Sequence, residues 1–406
     1  MSRDRGRRKP RLLVLNQYYW PGVEATAHLL TELCEALADE FDVTVITGTL
    51  HQPPAGPGRT VHNGVEVIRV RSTAFDRRRL GLRGLNYLSY FVQALRAALA
   101  RPRPDVVLCM TDPPFIGDVA LVVARRFRAP FVVISQDVFP EIAVELKRLE
   151  NPVLVGLIRV LVNLYLRRAD RVVAIGETMR RRLEAKGARP ERVRVISNWV
   201  GTDVLRPLPK DNDWAREHGL ADRFVVMHSG NVGHAQNLDA LVRAGTFLRD
   251  LDRLTIAIIG AGALHADLTE LAERLEVDAV RFLPYQPRER LSESLSAADL
   301  HVVGLARGLS GYVVPSRLYG ILSVGRPVIV AADRESETAQ LVEGAGCGVL
   351  VPPGRPELLA ARIRAAHDGE LPLAEWGERA RAYATAEADR SVSVGRYRGL
   401  LREVAA

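Results

Sequence analysis

The sequence predicts an α/β protein built from two doubly wound halves, and three observations carry that prediction. Short β-rich runs alternate with helical patterns along the chain. Most of those runs are unbroken Val and Ile stretches rather than strict alternations. The alternation pauses once, near the middle, and then restarts. Unbroken apolar runs suit parallel strands covered on both faces. Intervening helices make right-handed crossover units the economical way to connect such strands.

In the first half, RLLVL (from Arg11) reads as a buried strand and residues 25–39 as a helix. DVTVIT, VEVIRV, DVVLCM, FVVIS, RVVAI and RVRVIS follow as strands. The pause is NWVGTDVLRPLPKDNDW, whose prolines, glycine and charges suit a connection between domains. RFVVMHSG, LTIAIIG, AVRFLP, DLHVVGL, RPVIVA and CGVLVP then repeat the pattern. The expected organisation is a Rossmann-like half over 1–200, a hinge over 201–212 and a second Rossmann-like half over 213–385. Residues 386–406 read as a helix able to return to the first half. HQPPAGPGRT (51–60) is expected to lack regular structure, because proline and glycine interrupt both helix and ladder.

At 406 residues the chain can bury two cores. Its formal charge is +8, from 56 Lys and Arg against 48 Asp and Glu. That excess suits anionic partners or simply an arginine-rich composition. Part of it is local: arginines crowd the N-terminus, and Arg77, Arg78, Arg79 and Arg83 precede LNYLSYFVQALRAALA. No apolar run reaches the roughly 18 residues of a membrane span. The basic N-terminus has no apolar segment behind it, so a secretory signal is not expected. Cys34, Cys109 and Cys347 lack metal-ligand spacing and suit buried thiols in a reducing compartment. A cytoplasmic protein is the expectation.

Ligands of open α/β sheets bind beyond the strand C-termini, which directs attention to two segments. In VVPSRLYGILSVGRPVIVA, Pro315 and Ser316 precede a helical run, 317–324, and Gly325 ends it. Ser316 is a natural N-cap, and a helix start presents free amides to an anion. Arg317 adds a positive fork suited to a diphosphate, unless it is merely solvated. In MHSGNVGHAQNLDALVRA, a buried strand runs into Ser229, Gly230, Asn231 and Gly233, whose small size lets backbone approach a ligand. A turn requiring glycine is the plainer reading.

Taken in order, NQYYWPGVEATAHLLTELCEALA, SQDVFPE, ISNWVGTDVLRP, HSGNVG, PSRLYGILSVGRPVIVA and GCGVLVPPGRPELLA resemble the GT-B glycosyltransferases of family 4. The similarity is to the bacterial branch that builds lipopolysaccharide and exopolysaccharide, and it runs over nearly the whole chain. The resemblance implies a GT-B fold, two Rossmann-like domains facing across a cleft, with donor held by the second and acceptor mainly by the first. It implies a UDP- or GDP-sugar co-substrate, a glycan or polyprenyl-linked acceptor, retention at the anomeric carbon, and neither metal nor nucleic acid. Departure of a nucleoside diphosphate builds charge on the β-phosphate, where fixed donors and cations catalyse. Arg317, Ser316, Leu318, Gly230 and Asn231 are the candidates, with Tyr285 in the position of the base-recognition loop. Gly22 and Thr26 are placed near the donor phosphates or the acceptor.

The chain also departs from the family pattern. Where many members carry Glu-x7-Glu, it has Tyr312 and Gly320. The second of those acids binds ribose in the family, and Glu337 is the acidic candidate nearby, or else a helix-start charge. The usual Arg and Lys of the first loop of the second half are replaced by Asn231 and Gln236, which shifts the phosphate load to Arg317, with Arg307 or His234 assisting. In the first half, Asp137 follows the strand FVVIS and suits activation of an acceptor hydroxyl. Glu141 is the second carboxylate. A helix cap is the competing reading of Asp137, and a helix-start charge that of Glu141.

IIGAGALH places Gly260 and Gly262 after a strand but has His265 where a dinucleotide fingerprint needs its third glycine, and it lies in the second crossover unit rather than the first. A nucleotide-sugar epimerase and a non-catalytic glycan- or nucleotide-binding partner remain as alternatives. Finally, residues 77–101 and the apolar, basic-ended segment PVLVGLIRVLVNLYLRR suit an anionic membrane surface. Burial of the latter as a core helix is the alternative. Peripheral attachment at the inner face of the membrane is the resulting expectation.

Overall fold

The computed structural model describes residues 8–22, 24–51, 54–71 and 80–406. The chain divides into two compact units. The first comprises residues 1–197 and 394–406, the second 198–393. Arg3, Arg5 and Arg7 of the basic N-terminus, and Arg77, Arg78 and Arg79, lie outside the described residues.

The strands of the first unit's main sheet are β1 (Arg11–Leu15), β2 (Asp42–Thr47), β5 (Gly58–His62), β6 (Val65–Arg69), β7 (Val106–Met110), β8 (Phe131–Ser135), β9 (Arg171–Ala174) and β10 (Val193–Val195). β3 (Leu50–His51) and β4 (Pro54–Ala55) form a separate antiparallel pair. The eight-stranded order is β10-β9-β8-β7-β1-β2-β6-β5, parallel except for β5. β7 (VVLCM) and β8 (FVVIS) are buried at every position, as suits parallel strands of almost wholly apolar sequence. From β1 the chain winds one way to β2 and β6, then returns to build β7 to β10 on the other side. The strand order therefore reverses between β1 and β7, where a ligand crevice is expected.

Residues 51–60 correct the sequence reading, since β4 and the start of β5 fall inside them. The signal missed was Asn63-Gly64, with φ of 46° and 81°. Those left-handed values at both central residues fit the tight turn that joins twisted antiparallel strands. β5 pairs on one side only, so prolines just before it break no ladder.

The second unit holds β11 (Phe224–Ser229), β12 (Leu254–Ile259), β13 (Val280–Leu283), β14 (Leu300–Gly304), β15 (Val328–Ala331) and β16 (Gly348–Val351). All are parallel, in the order β13-β12-β11-β14-β15-β16, and the reversal lies between β11 and β14. Residues 206–210, expected within the hinge, are fastened along this unit. Leu208 N donates to Ser296 Oγ at 3.1 Å, and Lys210 Nζ to Asp299 Oδ2 at 2.6 Å.

The final helix, Arg390–Ala405, begins in the second unit and ends in the first. Asp389 fixes its start by accepting from Ser391 N at 2.9 Å and Thr202 Oγ1 at 2.6 Å. Farther along, Arg398 Nη2 donates to Ala36 O at 2.5 Å and Arg402 Nε to Glu40 Oε2 at 2.7 Å. Cys34, Cys109 and Cys347 are buried free thiols. Among the described residues, no helix is long and apolar enough to cross a membrane.

Candidate functional site

In the second unit, the loops after β11 and β14 meet where the strand order reverses. Ala306 N donates to Ala235 O at 2.8 Å, which ties them together. The helix Arg317–Ser323 then carries Arg317 back over the β11 loop. A Cβ on Gly230 would stand 3.3 Å from Arg317 Cζ, so the guanidinium lies over the bare Cα of this glycine. Gly230 has φ of 135°, a conformation that side chains other than glycine's rarely adopt. Arg317 Nη1 is 2.5 Å from His228 Nε2 and 3.2 Å from Nδ1, and Nη2 is 3.4 Å from Asn231 O. A guanidinium only donates, so the imidazole must be the acceptor and stay neutral. Burial and the neighbouring Arg317 hold the His228 pKa well below its ordinary value. Burial also lowers Arg317, to about 10, which leaves it fully charged near neutrality. The result is a fixed cation, half-buried at the strand C-termini, beside the exposed Asn231.

Several expected members of this site sit differently. Ser316 is in the helical conformation and makes no side-chain cap, so the N-cap expectation is corrected. Ser336 does cap its helix, accepting from Ala339 N at 3.3 Å. Leu318 is fully buried and its N–H donates to Pro315 O at 3.3 Å, so it has neither side chain nor amide to offer a ligand. Arg307 is exposed on the loop after β14. That loop is held to the one after β15 through Gly308 N and Asp333 Oδ2 at 2.9 Å. Glu337 opens the helix Glu337–Ala345 after β15. Tyr285 is 59% exposed on the loop after the edge strand β13. His234 is exposed in the short turn His234–Gln236.

The family departures have local physical causes. A Cβ at Gly320 would face Leu205 and Leu295, both at 3.6 Å, an apolar setting for the missing acid. Gln236 Oε1 accepts from Gly233 N at 3.0 Å, so this residue braces its loop. Gly260 and Gly262 allow close loop packing: added Cβ atoms would meet Gly230 O at 1.9 Å and Val232 O at 2.1 Å. The IIGAGALH glycines therefore support the β11 loop.

In the first unit, the loops after β1 and β7 meet at the other reversal. Gln17 N donates to Asp112 O at 3.1 Å, and Thr26 Oγ1 to Asp112 Oδ2 at 2.9 Å. Thr111 Oγ1 accepts from Gln136 N at 3.0 Å and from Asp137 N at 3.4 Å, which brings in the loop after β8. Asp137 is thus beside Asp112. Burial, aided by the Asp112 charge, raises the Asp137 carboxyl to about 7. Gly22 is buried at the end of a turn in which its N–H donates to Tyr19 O at 2.9 Å. Glu141 opens the short helix Glu141–Glu145, and its carboxylate is engaged. Lys186 Nζ donates to it at 2.8 and 3.0 Å, and Arg159 Nε at 3.0 Å. Burial, which alone would raise Glu141, is outweighed by these cations, and its pKa is lowered. The two carboxyls thus differ: that of Asp137 is raised toward neutrality, whereas that of Glu141 is held ionised by its two cations.

Sequence reasoning missed Asp112 and His228. Asp112 directly follows a recognised strand and could have been found on that ground. His228 lies inside a strand, and nothing local told that its ring would meet Arg317 across 89 positions of sequence.

Two parallel α/β units, each with its constellation at the strand-order reversal, define a GT-B glycosyltransferase. Residues 24–199 match the family described as "Glycosyl transferase 4-like domain", and residues 210–383 match "Glycosyl transferases group 1". The chain belongs to family 4 of the GT-B glycosyltransferases. It is 24% identical over 356 residues to the "Probable glycosyltransferase WbjE" of Pseudomonas aeruginosa, covering 87% of this chain and 88% of that protein. It is 32% identical over 231 residues to the "Putative colanic acid biosynthesis glycosyl transferase WcaI" of Escherichia coli (strain K12), about half of each chain at 55%. Among solved structures, that of Anabaena Alr3699/HepE in complex with UDP superposes with a TM-score of 0.74 at 17% identity, covering 97% of this chain and 100% of that one.

Proposed function

We propose that this glycosyltransferase takes a sugar from a uridine or guanosine diphosphate donor, retains its anomeric configuration, and builds cell-surface polysaccharide. The observation that carries the reading is Arg317, a fixed cation over Gly230 beside a neutral His228. A diphosphate leaving group gains charge as the glycosidic bond breaks, and a preorganised cation stabilises that charge. No metal is required in this scheme, so a chelator leaves the rate unchanged. Uracil is the favoured base of the donor, because HepE was solved with UDP. The acceptor in this reading is a glycan or a polyprenyl-linked glycolipid; the name of WcaI, a putative colanic acid biosynthesis glycosyl transferase, supports the role in polysaccharide assembly. Asp137, with its pKa near 7, supplies a carboxylate suited to the acceptor hydroxyl. The protein works at the inner face of the membrane as a peripheral enzyme.

The experiment is a melting-temperature screen against UDP, GDP and their sugars, followed by transfer with the sugar that binds. A ligand of the folded state raises the melting temperature by mass action. A shift with UDP that Arg317→Ala abolishes supports the proposal. No shift with any nucleotide sinks it. Binding without transfer to any acceptor favours a non-catalytic role, and release of an isomerised free donor favours an epimerase.

A further inference from the structure

The helix Pro152–Arg168 buries one side through Ile158, Val162, Tyr165 and Leu166 and packs on the helix Ile116–Phe127. Its other side should be polar in a protein that meets only water. Instead Val153 is 81% exposed, Leu157 57%, Val160 65% and Leu164 41%. Steps of four, three and four residues put these side chains in one stripe. Leu154 widens the stripe, and Val144 and Val122 are exposed on the two neighbouring helices. Scattered exposed apolar residues are ordinary, but a continuous stripe marks an interaction surface.

The surroundings of the stripe identify its partner. Where the helices Ile116–Phe127 and Pro152–Arg168 end, a hollow of about 300 Å³ is lined by Arg125, Arg128 and Arg168, with Asp170 as its acid. Asp170 Oδ2 is already occupied by Phe131 N at 2.8 Å. Arg126 and Arg167, the sequence neighbours of Arg125 and Arg168, are exposed as well. An apolar stripe bordered by arginines matches an anionic bilayer, whose acyl boundary accepts the valines and leucines while the phosphates meet the guanidinium groups. A water-soluble anion would use the hollow and ignore the stripe. A protein partner would not need so one-sided a charge.

We infer that the outward face of the helix Pro152–Arg168, together with the hollow lined by Arg125, Arg128 and Arg168, docks on an anionic lipid surface. The inference rests on the proposed lipid-linked acceptor and names the surface from which it is drawn. The helix starts just after the loop and short helix that follow β8, where Asp137 lies.

The test is co-sedimentation of the full chain with mixed phosphatidylglycerol–phosphatidylcholine vesicles, and with phosphatidylcholine alone, at low and high salt. The parent should bind the mixed vesicles and release with salt. Leu157→Glu/Val160→Glu and Arg125→Glu/Arg168→Glu should each weaken binding at least about tenfold. Phe247→Glu, at an exposed apolar site in the second unit, should bind like the parent. Parent protein that ignores the mixed vesicles overturns the inference, as does undiminished binding by Leu157→Glu/Val160→Glu. A dimer in sedimentation velocity that this variant splits, with no vesicle binding, assigns the stripe to a second copy and also overturns it. The UDP-induced melting shift separates the two proposals: the stripe variant keeps it. A parent that binds vesicles but no nucleotide refutes the donor assignment and leaves the docking surface standing.

Discussion

The guanidinium of Arg317 rests on the Cα of Gly230, 3.3 Å from where a Cβ would be, and the two residues work as one part. Removing the cation by Arg317→Ala should lower kcat/KM by on the order of 10²-fold, the usual size for one transition-state donor. Gly230→Ala should displace the guanidinium while keeping its charge, and should also lower transfer. Its φ of 135° adds a stability cost of about 1–3 kcal/mol. Steady-state kinetics with thermal melts separate the two effects.

Asp137 sets a pH dependence. With its pKa raised to about 7, its base form accumulates as pH rises through neutrality. Transfer should rise over the same range, and Asp137→Asn should lower kcat about 10²–10⁴-fold and flatten the profile. Asp112→Asn removes a neighbouring negative charge, which favours ionised Asp137. The rise should then move to lower pH. A profile unmoved by either change refutes the assignment.

Asp118 gives a separate stability test. Burial raises its carboxyl from 3.8 to about 7, and Oδ2 has no hydrogen-bond partner. The folded state therefore holds a proton that the unfolded chain has lost between those values. Stability falls as pH rises across that window. Asp118→Asn should stabilise the protein at pH 8 relative to the parent and change little at pH 4, read by denaturant titration.

Asp389 behaves oppositely. Its pKa is about 2: burial, which would raise it, is outweighed by hydrogen bonds from Ser391 and Thr202. Its contribution is complete above about 4 and is lost as pH falls through 2. Asp389→Asn should lower the melting temperature at pH 7, with the difference from the parent shrinking in acid.

The pair Glu141 and Lys186 distinguishes structure from catalysis. Their side chains are 17% and 8% exposed. Glu141→Gln leaves a buried ammonium without its counter-charge, a loss of about 3–5 kcal/mol. Turnover per folded molecule should persist. Glu141→Gln/Lys186→Met should recover most of the stability.

The sequence made the strand order's ingredients plain, because Val and Ile runs at β7, β8 and β12 have no other economical use. Gly230 and Asp137 could be picked out as candidates for a related reason, since each follows the end of such a strand, whereas Arg317 stood out by residue type at a helix start. What remained hidden depends on contacts far apart in the chain. Arg159 and Lys186 reach Glu141 across 18 and 45 positions and pair with its carboxylate, contacts that no local pattern announces. Ser316 looked like a cap by residue type, but its backbone is already helical. The helix Pro152–Arg168 read as apolar all round, and only its packing partner decided which side would be left in solvent.

The final helix fixes an order on synthesis. Val394–Ala406 belongs to the unit that otherwise ends at Ser197, and Arg398 and Arg402 reach Ala36 and Glu40. On the ribosome, the unit whose strands emerge first therefore waits for its closing piece until the other unit has been translated. The second unit has no such wait, because all of its residues are contiguous from Asn198 to Ser393. Domains generally fold as units during translation, so the second unit can be complete while the first is still held open.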